Sequence, residues 1–306
     1  MSTEVLSADE TRAALSMSDA IAAVRTSFVA LGAGEFELPQ RTVLGEGSAL
    51  SMAVHHRPTR STVVKSISAD FSRTPAIVGA VVWVSTDSTD VLVADAATVT
   101  TIRTGAVVGV ATDLLARPEA HRLVVVGAGG QAADQLRAVC AVRPIDTVTL
   151  VARRTAAGVA LRDHLGDEIA DLDVRVTTDL ESALREADVV CCATPATEPL
   201  FRAESLPSVV HVNAIGSYQH SMRELPDDLL ATATVVVDQR EAALAEAGEI
   251  DHAIASGVLD VGDLVELSEA LGRRPVLEDR TVFKSVGVAV QDWALGDLLA
   301  RRVLGI

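Results

Sequence analysis

Residues 122–132 read RLVVVGAGGQA, and this stretch decides the fold. A β-branched run ends at Val126 and leads directly into three glycines and a segment with helical character. This order predicts a strand, a tight turn and a helix N-terminus, which together bind the pyrophosphate of a dinucleotide. Anions are stabilised there by backbone N–H groups that lack helical acceptors and by the positive end of the helix dipole. The residues that we expect to line this site are Gly127, Ala128, Gly129, Gly130, Gln131 and Ala132.

The alternation of apolar runs and helical stretches after Pro118 predicts the fold class. It indicates a parallel sheet with crossover helices, which is a doubly wound α/β fold of the Rossmann type. The predicted strands are residues 122–126, 146–151, 173–176, 188–193, 209–214 and 233–237. The flanking regions predict helices within 7–33, a sheet within 38–95, a helix over 97–116 and an amphipathic helix over 286–304. The glycine loop lies far into the chain, so another unit precedes the nucleotide-binding one.

The composition excludes several classes of protein. The 306 residues carry a formal net charge of −16, which argues against a nucleic-acid partner because no basic face would outweigh it. No apolar run reaches the length of a membrane span, the N-terminus lacks the apolar core of a signal peptide, and the three cysteines form no CxxC pair. No histidine spacing is typical of a metal site, so we expect no bound metal. These features indicate a cytoplasmic protein with a small-molecule partner.

Lysine is rare in this chain. Of the 26 lysine and arginine residues, only Lys65 and Lys284 are lysines. Codon bias accounts for the scarcity, but the positions that remain lysine are candidates for a specific role. Lys65 lies between Val64 and Ile67 in an apolar strand, where an unpaired cation is costly.

The end of the second strand of the nucleotide-binding unit bears on the choice of dinucleotide. An enzyme specific for NAD usually has an acidic residue there, but this chain has Arg153, Arg154 and Thr155. Two guanidinium groups and a hydroxyl suit a 2′-phosphate, so we favour NADP(H) with NAD(H) as the alternative. A solvated basic patch at a helix start is the other interpretation. The small residues at the end of the fourth strand, against which a nicotinamide ribose would lie, are Ala193, Thr194 and Pro195.

Short motifs follow one another in a fixed order along nearly the whole chain. They are LPQR (38–41), TVVKSI (62–67), TTIRTGA (100–106), VVVGAGGQA (124–132), ATP (193–195), HVNAIG (211–216), REL (223–225) and TVFKSVGVAVQD (281–292). In this order and spacing the chain resembles the ornithine cyclodeaminase/mu-crystallin family. The resemblance implies an N-terminal α/β domain that binds substrate and forms a homodimer, with a Rossmann domain inserted before a C-terminal helix that returns to it. The expected domains are 1–116 with 287–306, and 117–286.

The resemblance also implies the residues of the site. Arg41, Lys65 and Arg103 match the three cations that hold the substrate carboxylate, and Lys65 is expected to be catalytic as well. A guanidinium fork grips a planar carboxylate, and a lysine adds a point charge. A surface position for Arg41 and a helix-capping role for Arg103 are the alternatives. The motifs further assign Ala214, Gly216, Ser285 and Gly287 to the cofactor.

For one lysine and two histidines we expect no catalytic role. Lys284 falls in a family motif, but we expect it at the surface or behind the residues that contact the ligands. His55 and His56 are adjacent, so in a strand they point to opposite faces, and we expect structural or surface roles for both.

One departure from the family pattern concerns the reaction. Cyclodeaminases have an aspartate, which acts as acid and base, where this chain has Tyr218, its single tyrosine. An unperturbed phenol has a pKa of about 10 and mostly donates a proton, which suits the reduction of an imine better than the removal of ammonia. A packing role for Tyr218 is the alternative.

The sequence therefore predicts an NAD(P)-dependent oxidoreductase. The expected reaction is hydride transfer between NADPH and the α-carbon of a small imino or amino acid, with Lys65 and Tyr218 as the catalytic residues. The first alternative is an ornithine cyclodeaminase that holds NAD, releases ammonia and forms L-proline. The second is an NADP-dependent protein that binds a small ligand without catalysis.

Overall fold

The structure is a computed structural model that describes residues 2–45, 48–70, 73, 75–273 and 278–305. The chain forms two compact units, Met1–Val107 with Val288–Ile306, and Val108–Gly287. The division falls earlier than the expected boundary at residue 116. The helix Ala96–Leu115 spans the division, and its C-terminal end packs within the second unit. There, the guanidinium of Arg143 donates to the carbonyl oxygens of Thr112, Asp113 and Ala116. These carbonyls lie at the C-terminal end of that helix, where intrahelical donors become scarce. The carbonyl oxygen of Thr112 also accepts from the backbone N–H of Ala116 at 2.9 Å.

The first unit contains a mostly antiparallel sheet and the helices that pack on it. Its sheet has the order β1-β7-β6-β5-β4-β2, and β3 pairs with β4. Only β1 and β7 run parallel. The strands are β1 (Thr3–Leu6), β2 (Phe36–Glu37), β3 (Thr42–Leu44), β4 (Ala49–His56), β5 (Ser61–Ala69), β6 (Ile77–Ser85) and β7 (Val91–Asp95). The helices are α1 (Ala8–Ala13), α2 (Met17–Gly32), the first part of α3 (Ala96–Leu115) and α11 (Ala289–Leu304).

Helix α11 is the centre of the first unit. Nearly all of its first three turns are buried, and it contacts α2, β5 and β6. Gly296 allows the close approach to the sheet, because a Cβ at that position would lie 2.8 Å from Cγ2 of Val63. The indole of Trp293 donates to Oγ of Ser61 at 2.9 Å. The last helix of the chain is thus fixed against β5, the strand that carries Lys65.

The second unit is the predicted Rossmann-type fold. All pairs in its sheet are parallel, in the order β10-β9-β8-β11-β12-β15-β13-β14. The order reverses between β8 and β11, and ligands of open α/β sheets bind beyond the carboxyl ends of strands at such a point. The strands are β8 (Arg122–Val126), β9 (Thr147–Val151), β10 (Asp173–Thr177), β11 (Val189–Cys192), β12 (Val210–Ala214), β13 (Thr234–Val237), β14 (Val265–Glu266) and β15 (Arg280–Lys284). The helices are α4 (Ala132–Val142), α5 (Thr155–Leu165), α6 (Leu180–Leu184), α7 (Asp227–Leu230), α8 (Arg240–Glu246), α9 (Gly248–Ala255) and α10 (Leu267–Gly272).

The structure confirms the fold class and the predicted strands of this unit. The central strands read as β-branched runs because they are buried on both faces, and Val125, Val190 and Val212 are fully buried. Among the described helices, none is long and apolar enough to cross a membrane.

A buried polar cluster lies within β12. His211 hydrogen-bonds with Thr281 Oγ1 at 2.8 Å and with Asn213 Oδ1 at 3.1 Å, and the amide of Asn213 donates to Thr112 Oγ1. Burial lowers the pKa of His211 to about 4, because the charged imidazole is poorly solvated there. His211 therefore stays neutral at neutral pH.

The depressed pKa of His211 predicts a loss of stability in acid. Between pH 6.5 and about 4 the unfolded chain binds a proton that the folded chain does not, so the free energy of unfolding falls with falling pH. We expect His211 to contribute about 3 kcal/mol to this loss. Urea unfolding across this range measures it, and the pH dependence of the His211→Gln variant is expected to be shallower by that amount. An equally steep dependence in the variant would contradict the assignment.

Candidate active site

The first unit brings two predicted cations together around one carboxylate. The ammonium of Lys65 in β5 lies 2.9 Å from Oδ1 and 2.8 Å from Oδ2 of Asp292 in α11. The guanidinium Nε of Arg103 in α3 lies 3.5 Å from Oδ1 of the same carboxylate. Arg103 also donates through Nη1 to Oε1 of Gln291 at 2.6 Å. All four side chains are buried.

Local sequence explains how Lys65 reaches this position. Strand β5 alternates, so Ser61, Val63 and Lys65 share its buried face, which packs against α11. Asp292 lies in the first turn of α11. A buried lysine next to a buried carboxylate avoids the cost of an isolated charge.

The charges around Lys65 favour an anionic ligand. Burial lowers the pKa of Lys65 to about 8, Asp292 opposes this shift, and the cations Arg103 and Arg41 add to it. The third predicted cation, Arg41, is partly exposed and close enough to act on this pKa. Among the described groups given as causes of this shift, two are cations and one is a carboxylate, which favours an anionic ligand.

The glycine loop of the second unit has the geometry of a phosphate-binding turn. Gly127 has a φ of +108°, and a Cβ there would lie 2.4 Å from the carbonyl oxygen of Ala193. By contrast, a Cβ at Gly129 or Gly130 would meet open space. Ala132 is fully buried at the start of α4, as close strand–helix packing requires.

This loop fits a dinucleotide. Among the described residues, the backbone N–H groups of Ala128, Gly129 and Gly130 donate to no protein acceptor. They lie at the N-terminal side of α4, which Gln131 precedes without a side-chain cap. Unfilled space and free donors at a helix N-terminus are what an anionic pyrophosphate requires.

The residues predicted to select the dinucleotide are accessible. Arg153, Arg154 and Thr155 are exposed where β9 ends and α5 begins. Within the part of the chain that the structure describes, neither arginine forms an ion pair with the protein. Both guanidinium groups are therefore available to a phosphate.

Glu224, which was not predicted from the sequence, joins the loop predicted to contact the nicotinamide ribose to a second loop that was assigned to the cofactor. Its carboxylate accepts from N and Oγ1 of Thr194 at 2.7 and 2.8 Å, and from N of Gly216 at 2.7 Å. Burial raises its pKa, and these donors oppose the shift. Gly216 must be glycine, because a Cβ there would lie 2.2 Å from the carbonyl oxygen of Thr194. Pro195 is exposed beside this junction, and Ala214 is buried at the end of β12.

Asp238, also missed, organises the loop that follows β15. Its Oδ2 accepts from Ser285 Oγ at 2.8 Å, from Val286 N at 3.0 Å and from Gly287 N at 2.8 Å. Ser285 and Gly287, both predicted to contact the cofactor, therefore use these donors to shape the loop. Their assignment to the cofactor stays a prediction.

Tyr218 and Lys284 lie close in the fold, although the sequence separates them. Tyr218 is half-buried in the loop after β12, and burial raises the pKa of its phenol, which therefore stays protonated at neutral pH. Lys284 is fully buried and forms an ion pair with Glu249 at 3.2 Å. Lys284 was expected either at the surface or behind the residues that contact the ligands, and the structure excludes the surface position, because the ammonium finds a buried carboxylate and two oxygens of Ser217.

The scarcity of lysine was the signal for this second buried cation. Both lysines of the chain are buried in ion pairs, Lys65 with Asp292 and Lys284 with Glu249. No comparable signal identified the carboxylates, because the chain has 42 acidic residues. His56 is buried against Trp293 and hydrogen-bonds with Thr59, which is the structural role expected for it.

Comparison with known proteins decides the family. A sequence model of the ornithine cyclodeaminase/mu-crystallin family matches residues 1–305. This chain belongs to that family. Among its relatives is a Δ1-pyrroline-2-carboxylate reductase of Bacillus cereus, 39% identical over 67% of this chain and 64% of the relative. The match thus spans less than two thirds of that protein.

Two further relatives match more of the chain. An L-lysine cyclodeaminase of Streptomyces rapamycinicus is 34% identical over 91% of this chain and 84% of its own. The Δ1-pyrroline-2-carboxylate reductase of Thermococcus litoralis, solved with NADH and L-proline, has a TM-score of 0.92 at 26% identity, covering 99% of this chain and 98% of that one. Proteins similar to this chain are thus named both as imino acid reductases and as a cyclodeaminase.

Proposed function

We propose that this chain is an NADP-dependent reductase of a small imino acid that carries a carboxylate. The observation that carries the proposal is the buried pair of Lys65 and Arg103 around the single carboxylate of Asp292. Such a cluster binds the carboxylate of a substrate and so fixes the position of its α-carbon. A cyclic imine such as Δ1-pyrroline-2-carboxylate, which the Bacillus cereus relative is named for, is the first candidate substrate.

Different residues of the chain bind the substrate, donate the proton and bind the cofactor in the proposed reaction. Arg41, Lys65 and Arg103 hold the carboxylate, and Tyr218 donates the proton that the product nitrogen gains. The free N–H groups of Ala128, Gly129 and Gly130 hold the pyrophosphate. Bound NADPH supplies the hydride.

The preference for NADP(H) is part of the proposal. It rests on the exposed Arg153 and Arg154 at the carboxyl end of β9, where a 2′-phosphate would be met by two unpaired guanidinium groups. The Thermococcus litoralis protein was solved with NADH, so NAD(H) is the alternative to be tested.

A cyclodeaminase is the second candidate function. The observation that favours it is the match to the L-lysine cyclodeaminase, which covers 91% of this chain. Ring closure with loss of ammonia needs a group that accepts a proton from an ammonium, and a carboxylate does so at neutral pH. Tyr218, with its raised pKa, does not.

A substrate panel separates the two functions. Purified protein is mixed with NADPH or NADH and with Δ1-pyrroline-2-carboxylate, pyruvate plus methylamine, L-ornithine or L-lysine. Nicotinamide absorbance and ammonia are followed together. We expect oxidation of NADPH with an imine and no ammonia from the diamines. Ammonia release from L-ornithine or L-lysine without net cofactor turnover would overturn the proposal in favour of the cyclodeaminase.

The lowered pKa of Lys65 predicts a pH limit for the substrate. Above a pKa of about 8 the ammonium loses its charge and no longer attracts the carboxylate, so kcat/KM should fall by about tenfold per pH unit. The fall should be absent with 1-pyrroline, which lacks the carboxylate. A profile for the carboxylate substrate that stays flat to about pH 9.5 would contradict this role for Lys65.

We also propose that the chain forms a homodimer through its first unit. Large apolar side chains are exposed on that unit, and a second copy that covers them would remove apolar surface from water. They include Val5, Val43, Leu44, Val78 and Val84, each at least 38% exposed. Light scattering should give twice the chain mass of 32.0 kDa, and a monomer at micromolar concentration would contradict the proposal.

A further inference from the structure

Lys284 contacts the residue that precedes Tyr218 in two ways. Its Nζ donates to the carbonyl oxygen of Ser217 at 2.6 Å and to Oγ of Ser217 at 2.6 Å. The carbonyl of Ser217 belongs to the same planar peptide group as the backbone N of Tyr218. The ammonium therefore holds the peptide group from which Tyr218 projects.

Glu249 completes the arrangement. One carboxylate oxygen lies 3.2 Å from Nζ of Lys284, and the other accepts a hydrogen bond from Ser217 Oγ. The ammonium thus donates two hydrogen bonds to Ser217 and lies within ion-pair distance of Glu249. Ser217 Oγ accepts from Lys284 and donates to Glu249. Lys284, Glu249 and Ser217 are all fully buried.

The strand topology explains why these residues meet. Lys284 ends β15 and pairs in register with Ala214, which ends β12. Glu249 lies in the first turn of α9, whose first residue, Gly248, has no room for a Cβ because the carbonyl oxygen of Met222 would lie 2.2 Å away. Backbone contacts before and after Tyr218 therefore restrict the loop.

We propose that Lys284 is a positioning residue, which acts through Ser217 and Glu249 to hold Tyr218 where it donates its proton. The effect on catalysis rests on the proposed function, in which Tyr218 donates its proton to the substrate nitrogen. The restricted position of Tyr218 does not depend on the proposed function. Moving Ser217 would remove both hydrogen bonds of this buried ammonium and leave it only the ion pair with Glu249, so the arrangement resists displacement.

Tyr218 provides its own probe, because it is the single tyrosine of the chain. Protein labelled with 3-fluorotyrosine gives one fluorine resonance, which reports the surroundings of Tyr218 without any substrate. The test variant is Lys284→Met with Glu249→Gln, which removes both charges together and leaves an acceptor for Ser217. The matched control is Arg122→Met with Asp188→Asn, which removes an ion pair of 3.0 Å elsewhere in the same unit.

The expected result has two parts. In the test variant the resonance shifts or broadens, and kcat falls about tenfold while the KM for NADPH changes less than about twofold. When these changes are combined with Tyr218→Phe, kcat falls less than about twofold below the kcat of Tyr218→Phe alone, because Lys284 acts through the phenol. The control variant keeps the resonance and kcat of the parent protein.

Other outcomes separate the two proposals. An unchanged resonance, or a loss of kcat that is equal with and without Tyr218→Phe, would overturn the positioning role. If the parent protein reduces no imine, the proposed function fails, and the resonance alone decides whether Lys284 holds Tyr218. Should the test variant not fold, Lys284→Gln with Glu249→Gln takes its place, because it removes both charges and keeps polar groups in the buried cluster. A shifted resonance in that variant supports the role, and an unchanged one overturns it.

Discussion

Replacing Arg103 with methionine is expected to lower kcat/KM for Δ1-pyrroline-2-carboxylate by about a thousandfold. Arg103 is buried, and it supplies charge-assisted hydrogen bonds to the substrate carboxylate in the proposed complex. Losing two such bonds costs about 4 kcal/mol, which is about a thousandfold in kcat/KM. Methionine keeps an unbranched stem of similar length, so the substitution removes the charge with little loss of packing. Steady-state kinetics with NADPH measure the effect.

Two controls accompany this variant. Arg12 lies in the same unit and donates to Thr101 Oγ1 of helix α3 at 3.0 Å, so Arg12→Met removes an arginine contact to the same helix. It should leave kcat/KM within about twofold. The second control is 1-pyrroline, which lacks the carboxylate and whose reduction Arg103→Met should hardly change. Equal losses with both imines would mean that Arg103 supports the fold rather than the carboxylate.

The Arg153→Ala, Arg154→Ala double variant is expected to lower kcat/KM for NADPH by about a hundredfold and to leave the value for NADH within about threefold. Each exposed guanidinium contributes about 1.5 kcal/mol through a charge-assisted hydrogen bond to the 2′-phosphate. NADH lacks this phosphate, so it loses none of these bonds. Initial rates with each cofactor at a saturating imine concentration measure the ratio.

An arginine farther along the same helix serves as the control. Arg162 lies in the last turn of α5 and pairs with Asp163 at 2.9 Å. Arg162→Ala should change neither cofactor constant by more than about twofold. Equal losses of kcat/KM for NADPH and NADH in the double variant at 153 and 154 would show that these arginines do not bind the 2′-phosphate.

The glycine loop was predictable because its signal is local. The strand, the turn and the helix start occupy eleven consecutive residues, 122–132, and each has its own sequence preference. Lys65 was predictable for a related reason, since a cation within an apolar strand requires a partner. The sequence did not identify that partner, Asp292, which lies 227 residues away on another element.

Long-range contacts also explain the other omissions. Glu224, Glu249 and Asp238 resemble the other acidic residues of the chain until the fold brings them to buried donors. The sequence left open whether Lys284 lies at the surface or behind the residues that contact the ligands, because its own segment gave no information about Glu249. Only the parallel register of β15 with β12 places its ammonium beside Ser217.

The fate of deuterium carried by the reduced cofactor tests the proposed hydride transfer to the α-carbon most directly. Δ1-Pyrroline-2-carboxylate is incubated with NADPH deuterated at C4 of the nicotinamide, in each of the two stereochemical forms, and the product is examined by mass spectrometry and proton NMR. One form is expected to give proline with a single deuterium at the α-carbon, with one NADPH oxidised per proline formed. Proline without deuterium from both forms, or proline formed instead from L-ornithine with release of ammonia, would contradict the assignment of this chain as an imino acid reductase.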